Sequence, residues 1–120
     1  MVKALAAWLL LSVAAGAQSS QVMWTGWFSD MQCAIARAAM GLYGPTNPEC
    51  AKTCIQDGKA PVFISERTKA IYKVTGYSGV IDDLGYHVEI RANLNSPNKT
   101  LTISSVKRLS YEGAACQRKK

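Results

Sequence analysis

The sequence is poor in the groups that most enzymes and metal sites rely on. His87 is the only histidine, and 8 acidic residues stand against 14 basic ones. A general base needs a poised nucleophile and an orienting acid beside it. Glu89 shares a strand face with His87, but no serine completes a recognisable triad, so His87 reads as a solvated strand residue. There is no Cys-x-x-Cys, which removes the thioredoxin-like motif, and no Cys-x-x-Cys-His, which removes haem attachment. Asp82 and Asp83 are adjacent, whereas a calcium loop needs alternating ligands; with Asp30 they read as turn residues. No internal repeat is visible. No apolar run approaches the ~20 residues that span a bilayer. A chain of 120 residues also leaves no room for a large enzyme or a second folded domain.

What is present points first to export. Lys3 opens a short basic start, residues 4–15 form an apolar run, and Ala15-Gly16-Ala17 has the small-x-small form that a signal peptidase accepts. Residues 1–17 are therefore expected to be a signal peptide. No cysteine follows the cleavage point, which argues against a lipoprotein anchor. Removing this segment takes Lys3 with it and lowers the +6 charge by one. Residues 18–109 are expected to form one domain, and residues 110–120 a polar, basic tail ending in Arg118-Lys119-Lys120. The expected location is secreted or periplasmic, with no membrane span after cleavage.

The mature part reads mainly as β. Residues 22–29 form a strand interrupted by Gly26, which marks a bend or a close backbone approach. Asn47-Pro48 is an N-cap followed by proline at the first helical position, and Glu49 suits the positive end of the helix dipole. One short helix is therefore expected over residues 48–57, ending at Gly58. A second short helix is conceivable over residues 34–40, ahead of a loop at 41–46. Strands are expected at 61–65 and 70–75, then at 86–94, where Val88, Ile90 and Ala92 alternate with His87, Glu89 and Arg91. The last strand covers 100–109, with Leu101 and Ile103 inward and a phase shift near Ser104-Ser105 that a bulge explains. About five short strands separated by turn signals suggest a small closed barrel or sandwich.

Export gives the cysteines a meaning. Cys33, Cys50, Cys54 and Cys116 are even in number in a small domain, which favours disulfides outside the cytoplasm. Cys50 and Cys54 lie at i and i+4 of the expected helix, where a mutual bridge would strain the turn. Cys33 is therefore expected to pair with one of them, and Cys116 either takes the other or stays free. Closing a loop of about 20 residues would contribute roughly 3 kcal/mol, useful to a domain this small.

The runs Thr25-Gly26-Trp27-Phe28-Ser29-Asp30-Met31-Gln32-Cys33 and Cys50-Ala51-Lys52-Thr53-Cys54, followed by Asp57-Gly58 and Val62-Phe63-Ile64, carry a resemblance. So do Tyr86-His87-Val88-Glu89-Ile90 and Leu101-Thr102-Ile103. Together they resemble a family of small secreted bacterial proteins with an OB-fold-like barrel, known chiefly from soil bacteria. The likeness runs from about Met23 to Val106. It implies an OB-like barrel and an exported location, and no activity. Members often carry a histidine soon after the first cysteine; this chain has Arg37 in that stretch.

The leading expectation is a non-enzymatic exported binding or structural module of the bacterial envelope, with no cofactor. OB-like barrels use outward aromatics and basic residues to stack bases or sugars. Trp27 is the candidate aromatic, with Lys73, Arg91 and Lys107 as cationic neighbours; the plain alternative has Trp27 packed beneath the helix or the 41–46 loop. Outside the tail the chain is only mildly basic, which argues against a dedicated nucleic-acid binder. An envelope ligand or protein, such as an anionic polymer, fits better. The alternative of another class is a cysteine-based metal or redox protein. Cys33, Cys50 and Cys54 would hold copper or zinc, since thiolates at i and i+4 of a helix can chelate.

Overall fold

The computed structural model describes residues 19–113. The elements run β1 (Ser19–Asp30), α1 (Met31–Ala38), α2 (Pro48–Gln56), β2 (Pro61–Ser65), β3 (Ala70–Thr75), α3 (Val80–Asp83), β4 (Tyr86–Asn95) and β5 (Thr100–Tyr111). The five strands form one mixed sheet that closes into a ring in the order β1-β2-β3-β5-β4, with β4 returning to β1. All neighbours are antiparallel except β3 and β5, which run parallel from Lys73 opposite Thr100 to Thr75 opposite Thr102.

Closure depends on β1, which pairs with β4 from Ser19 to Trp27 and with β2 from Gly26 to Asp30. Gly26 sits where both partners are engaged. A Cβ there would lie 2.0 Å from the backbone oxygen of Ile64 and 2.7 Å from the Phe63 ring. Of the two expected roles, the glycine therefore serves a close backbone approach. The phase shift in β5 is also real. Arg91 faces Ser105 while Ala92 faces Ile103, leaving Ser104 as the extra residue of a bulge. Its hydroxyl donates to the Arg91 carbonyl at 2.9 Å. The inward face then passes from Ile103 to Val106.

Alternation on β4 buries Val88, Ile90 and Ala92. They meet Phe28, Phe63, Leu101 and Ile103 inside the ring, with Ala51 and Ile55 of α2 packed against them. Helix α2 begins where the sequence places it, with Asn47 capping the Cys50 amide at 2.9 Å and proline in the first turn.

Four expectations are corrected. Three helices stand among the described residues where one was expected and a second, over 34–40, was allowed: α1 starts earlier, at Met31, and α3 after β3 was not expected. Asp30 is not a turn residue; it ends β1 and caps α1 by accepting from the Cys33 amide at 3.0 Å. Strand β5 continues to Tyr111, because Ser110 and Tyr111 still find partners in His87 and Tyr86. Among the described residues the expected staple of Cys33 is not formed: Cys33 and Cys54 lie 4.1 Å apart and unbonded, about twice the length of an S–S bond. The expected signal peptide, Cys116 and the end of the basic tail lie outside the described residues. Among the described residues, no helix is long and apolar enough to cross a membrane.

Candidate functional site

Three groupings of chemically capable side chains emerge. The first joins the end of β1, the first turn of α1 and the second half of α2. One ligand atom each from Asp30, Cys33 and Cys54 lies within 4.8 Å of the other two. Asp30 is fully buried, and its Oδ1 has no hydrogen-bond partner. A buried carboxylate oxygen without a partner is costly. Burial holds the Cys33 thiol well above its ordinary value of 9.0, and the neighbouring Asp30 adds to the effect. Without a bound cation this thiol stays protonated at neutral pH.

The sequence placed Cys50 with this pair, and that membership is corrected. Cys50 is exposed and does not belong to the group; Asp30 stands in its place. Positions i and i+4 of a helix are about 40° apart, enough here to turn Cys54 toward α1 and leave Cys50 at the surface. The missed signal was Asp30 itself. An acidic residue directly before a helical run is an N-cap, and a cap is brought against the first turn by construction.

The second grouping surrounds Trp27. Alternation directs it outward from the ring, yet it is 7% exposed. His87 stacks on it with ring centroids 5.0 Å apart, and its indole Nε1 donates to Glu112 at 3.1 Å. Trp27 is therefore not an open stacking platform. The β4 imidazole and Glu112, just beyond β5, both lie against it. His87 is not the solvated residue expected either. Its Nε2 lies 2.8 Å from Glu66, which also accepts from the Thr25 hydroxyl at 2.8 Å. Its Nδ1 lies 3.9 Å from Glu112. The hydrogen bonds from Thr25 and His87 pull the Glu66 carboxyl below its ordinary value. Glu66 is 21 positions from His87 in the chain, so local spacing suggested Glu89 instead.

The third grouping is the outer surface of β1, β4 and β5. Arg91 faces Met23 on one side and Ser105 on the other, and Lys107 faces Glu89. A shallow groove of about 250 Å³ is lined by Gln21, Val22, Met23, Arg91 and Ser104. Met23 is 55% exposed beside it. The structure thus brings Arg91 and Lys107 onto one face. It does not bring Lys73 there, because Lys73 pairs with Thr100, five residues and roughly 17 Å along β5 from Ser105. A second groove of about 260 Å³ lies between Arg37, Tyr43 and Lys69.

Beneath this surface a polar strut fixes the end of β5. Arg108 Nε donates to buried Asp83 at 2.6 Å, and Tyr77 donates its hydroxyl to the same carboxylate. The guanidinium also lies 4.4 Å from the Tyr86 ring centroid. Burial, helped by Asp83, pushes the Tyr77 phenol up to about 12. Asp83 is thus a structural anchor within a helix rather than a turn residue. No family model, curated protein or solved structure matches the chain.

Proposed function

We propose that the chain is an exported, non-enzymatic OB-fold-like module of the bacterial envelope, released from a signal peptide at residues 1–17. It takes an anionic envelope ligand on the outer face of β1, β4 and β5. The observation that carries this reading is the groove in which Met23 offers apolar surface beside Arg91, with Lys107 on the same face. The ring interior is filled by Phe28, Phe63, Ile90 and Leu101, so the outer face is the surface available for binding. The ring order, with its parallel closure of β3 on β5, supports the OB-like assignment. The likeness of Thr25–Cys33 and Cys50–Cys54 to secreted bacterial barrels supports the location.

The test is titration with a model polyanion, dextran sulfate, at low and high salt. Arg91→Ala combined with Lys107→Ala is expected to weaken binding at least tenfold and to flatten its salt dependence. Unchanged binding, or a loss that follows Arg37→Ala and Lys69→Ala instead, overturns the assignment of the face. The second reading, a cysteine-based metal or redox protein, is favoured by one observation: Cys33 and Cys54 approach each other beside a buried carboxylate.

A further inference from the structure

We infer that Asp30, Cys33 and Cys54 form a binding site for a borderline divalent metal ion of the zinc class. The inference rests on the cysteine-based reading and is independent of the outer-face groove. The first support is geometric. Two thiolates on one tetrahedral zinc, each bonded at about 2.3 Å, lie about 3.8 Å apart. Cys33 and Cys54 are 4.1 Å apart, close to that separation and far from a disulfide. The three ligand atoms already converge within 4.8 Å.

The second support is the orphaned oxygen. Asp30 spends Oδ2 on the Cys33 amide, which leaves Oδ1 buried and unpartnered. A native structure satisfies its buried polar atoms, and one without a protein partner calls for an unseen ion or water. Coordination by Oδ1 would satisfy it, while the Oδ2 cap bond holds the carboxylate in orientation, the role outer hydrogen bonds play at metal sites. The donor set also selects the ion. Two sulfurs and one carboxylate oxygen suit zinc, whereas copper(I) prefers sulfur alone.

Binding is balanced by proton release. Cys33 and Cys54 each give up a thiol proton to solvent, Asp30 enters as carboxylate, and water fills the fourth position. Elements α1 and α2 touch here, so the ion would fasten the two helices where the sequence led one to expect a disulfide.

The experiment is titration of the reduced, full-length chain with Zn²⁺ against a chromophoric chelator, and with Co²⁺ followed by thiolate-to-cobalt absorption. One ion per chain and an absorption intensity of two thiolates are expected. Asp30→Asn preserves a cap-competent side chain; it should lose at least tenfold in affinity while keeping the two-thiolate band. Cys33→Ser and Cys54→Ser should each lose tight binding, whereas Cys50→Ser and Arg91→Ala should bind as the parent does. The inference is overturned if the reduced parent chain takes up no stoichiometric zinc, if Asp30→Asn binds equally well, or if Cys50→Ser abolishes binding. The parent measurements stand even if a cysteine variant fails to fold, and no outcome depends on the polyanion assay.

Discussion

Replacing Gly26 with alanine places a methyl carbon 2.0 Å from the backbone oxygen of Ile64 and 2.7 Å from Phe63 Cζ. The ring of Phe63 can turn aside, but the carbonyl belongs to β2 and cannot move without the strand. Relief requires β1 and β2 to separate by more than 1 Å at the point where Gly26 faces Ser65 and Val88 together. Overpacking of this kind costs about 1–3 kcal/mol, and a backbone clash belongs in the upper part of that range. For a domain of this size 1 kcal/mol corresponds to about 4–8 °C in Tm, so Gly26→Ala should lower Tm by roughly 10–20 °C. Gly44 supplies the control, since a Cβ there meets nothing within 4 Å. Gly44→Ala should be neutral or slightly stabilising, through the lower entropy of the unfolded chain. Adding Phe63→Leu to Gly26→Ala should not restore stability, because the obstruction is the carbonyl. Thermal melts of the three variants decide the matter. Equal Tm values for Gly26→Ala and Gly44→Ala, or rescue by Phe63→Leu, would refute the dual pairing of β1.

Other perturbations have defined outcomes. The Glu66 carboxyl is held low by Thr25 and His87. Its contribution is present above the unfolded value near 4.5 and disappears as pH falls through the lower folded value. Because Glu66 is 48% exposed, solvent screening keeps the effect below about 1 kcal/mol. Glu66→Gln should accordingly flatten the acid limb of a Tm–pH profile slightly, and an unaltered limb would contradict the pairing. The Tyr77 phenol should ionise at about 12 in a spectrophotometric titration, and this group should cost the fold stability as pH rises above 10.0. Tyr77→Phe should cost about 1–3 kcal/mol by leaving Asp83 short of a partner, and Arg108→Met should lower Tm in the same direction. Their double-mutant cycle should be non-additive; strict additivity would dissolve the strut. Trp27→Ala should cost about 3–5 kcal/mol and leave polyanion affinity in the folded fraction unchanged, whereas lost affinity without lost stability would restore Trp27 as a ligand platform.

Much of the fold was legible because its signals are local. The alternation of β4, the Asn47-Pro48 start of α2 and the phase slip at Ser104 are all written within a few residues of where they act. Helix α3 was hidden because four residues are too few to display a helical period. Helix α1 was read three residues late, since Asp30 belongs to a strand and caps a helix at once. The candidate sites were harder, because ring closure makes their neighbours. Period-2 alternation correctly sends Trp27 outward, but it carries no information that His87 and Glu112 will cover it. Cys33 meets Cys54 only after α1 and α2 fold back on one another, and the spacing within α2 singled out Cys50 with equal force. Arg91 and Lys107 were legible as cations, while their shared face required the β4–β5 register.

The most direct test of an exported module with a reduced, metal-holding cysteine pair is the mass of the protein recovered from outside the cytoplasm, measured natively and after denaturation with thiol alkylation and peptide mapping. The denatured chain should begin at Gln18, with Cys33 and Cys54 both alkylated, and the native mass should be higher by one zinc ion. A chain that retains residues 1–17, or a Cys33–Cys54 pair that resists alkylation and is lighter by two hydrogens, would contradict it.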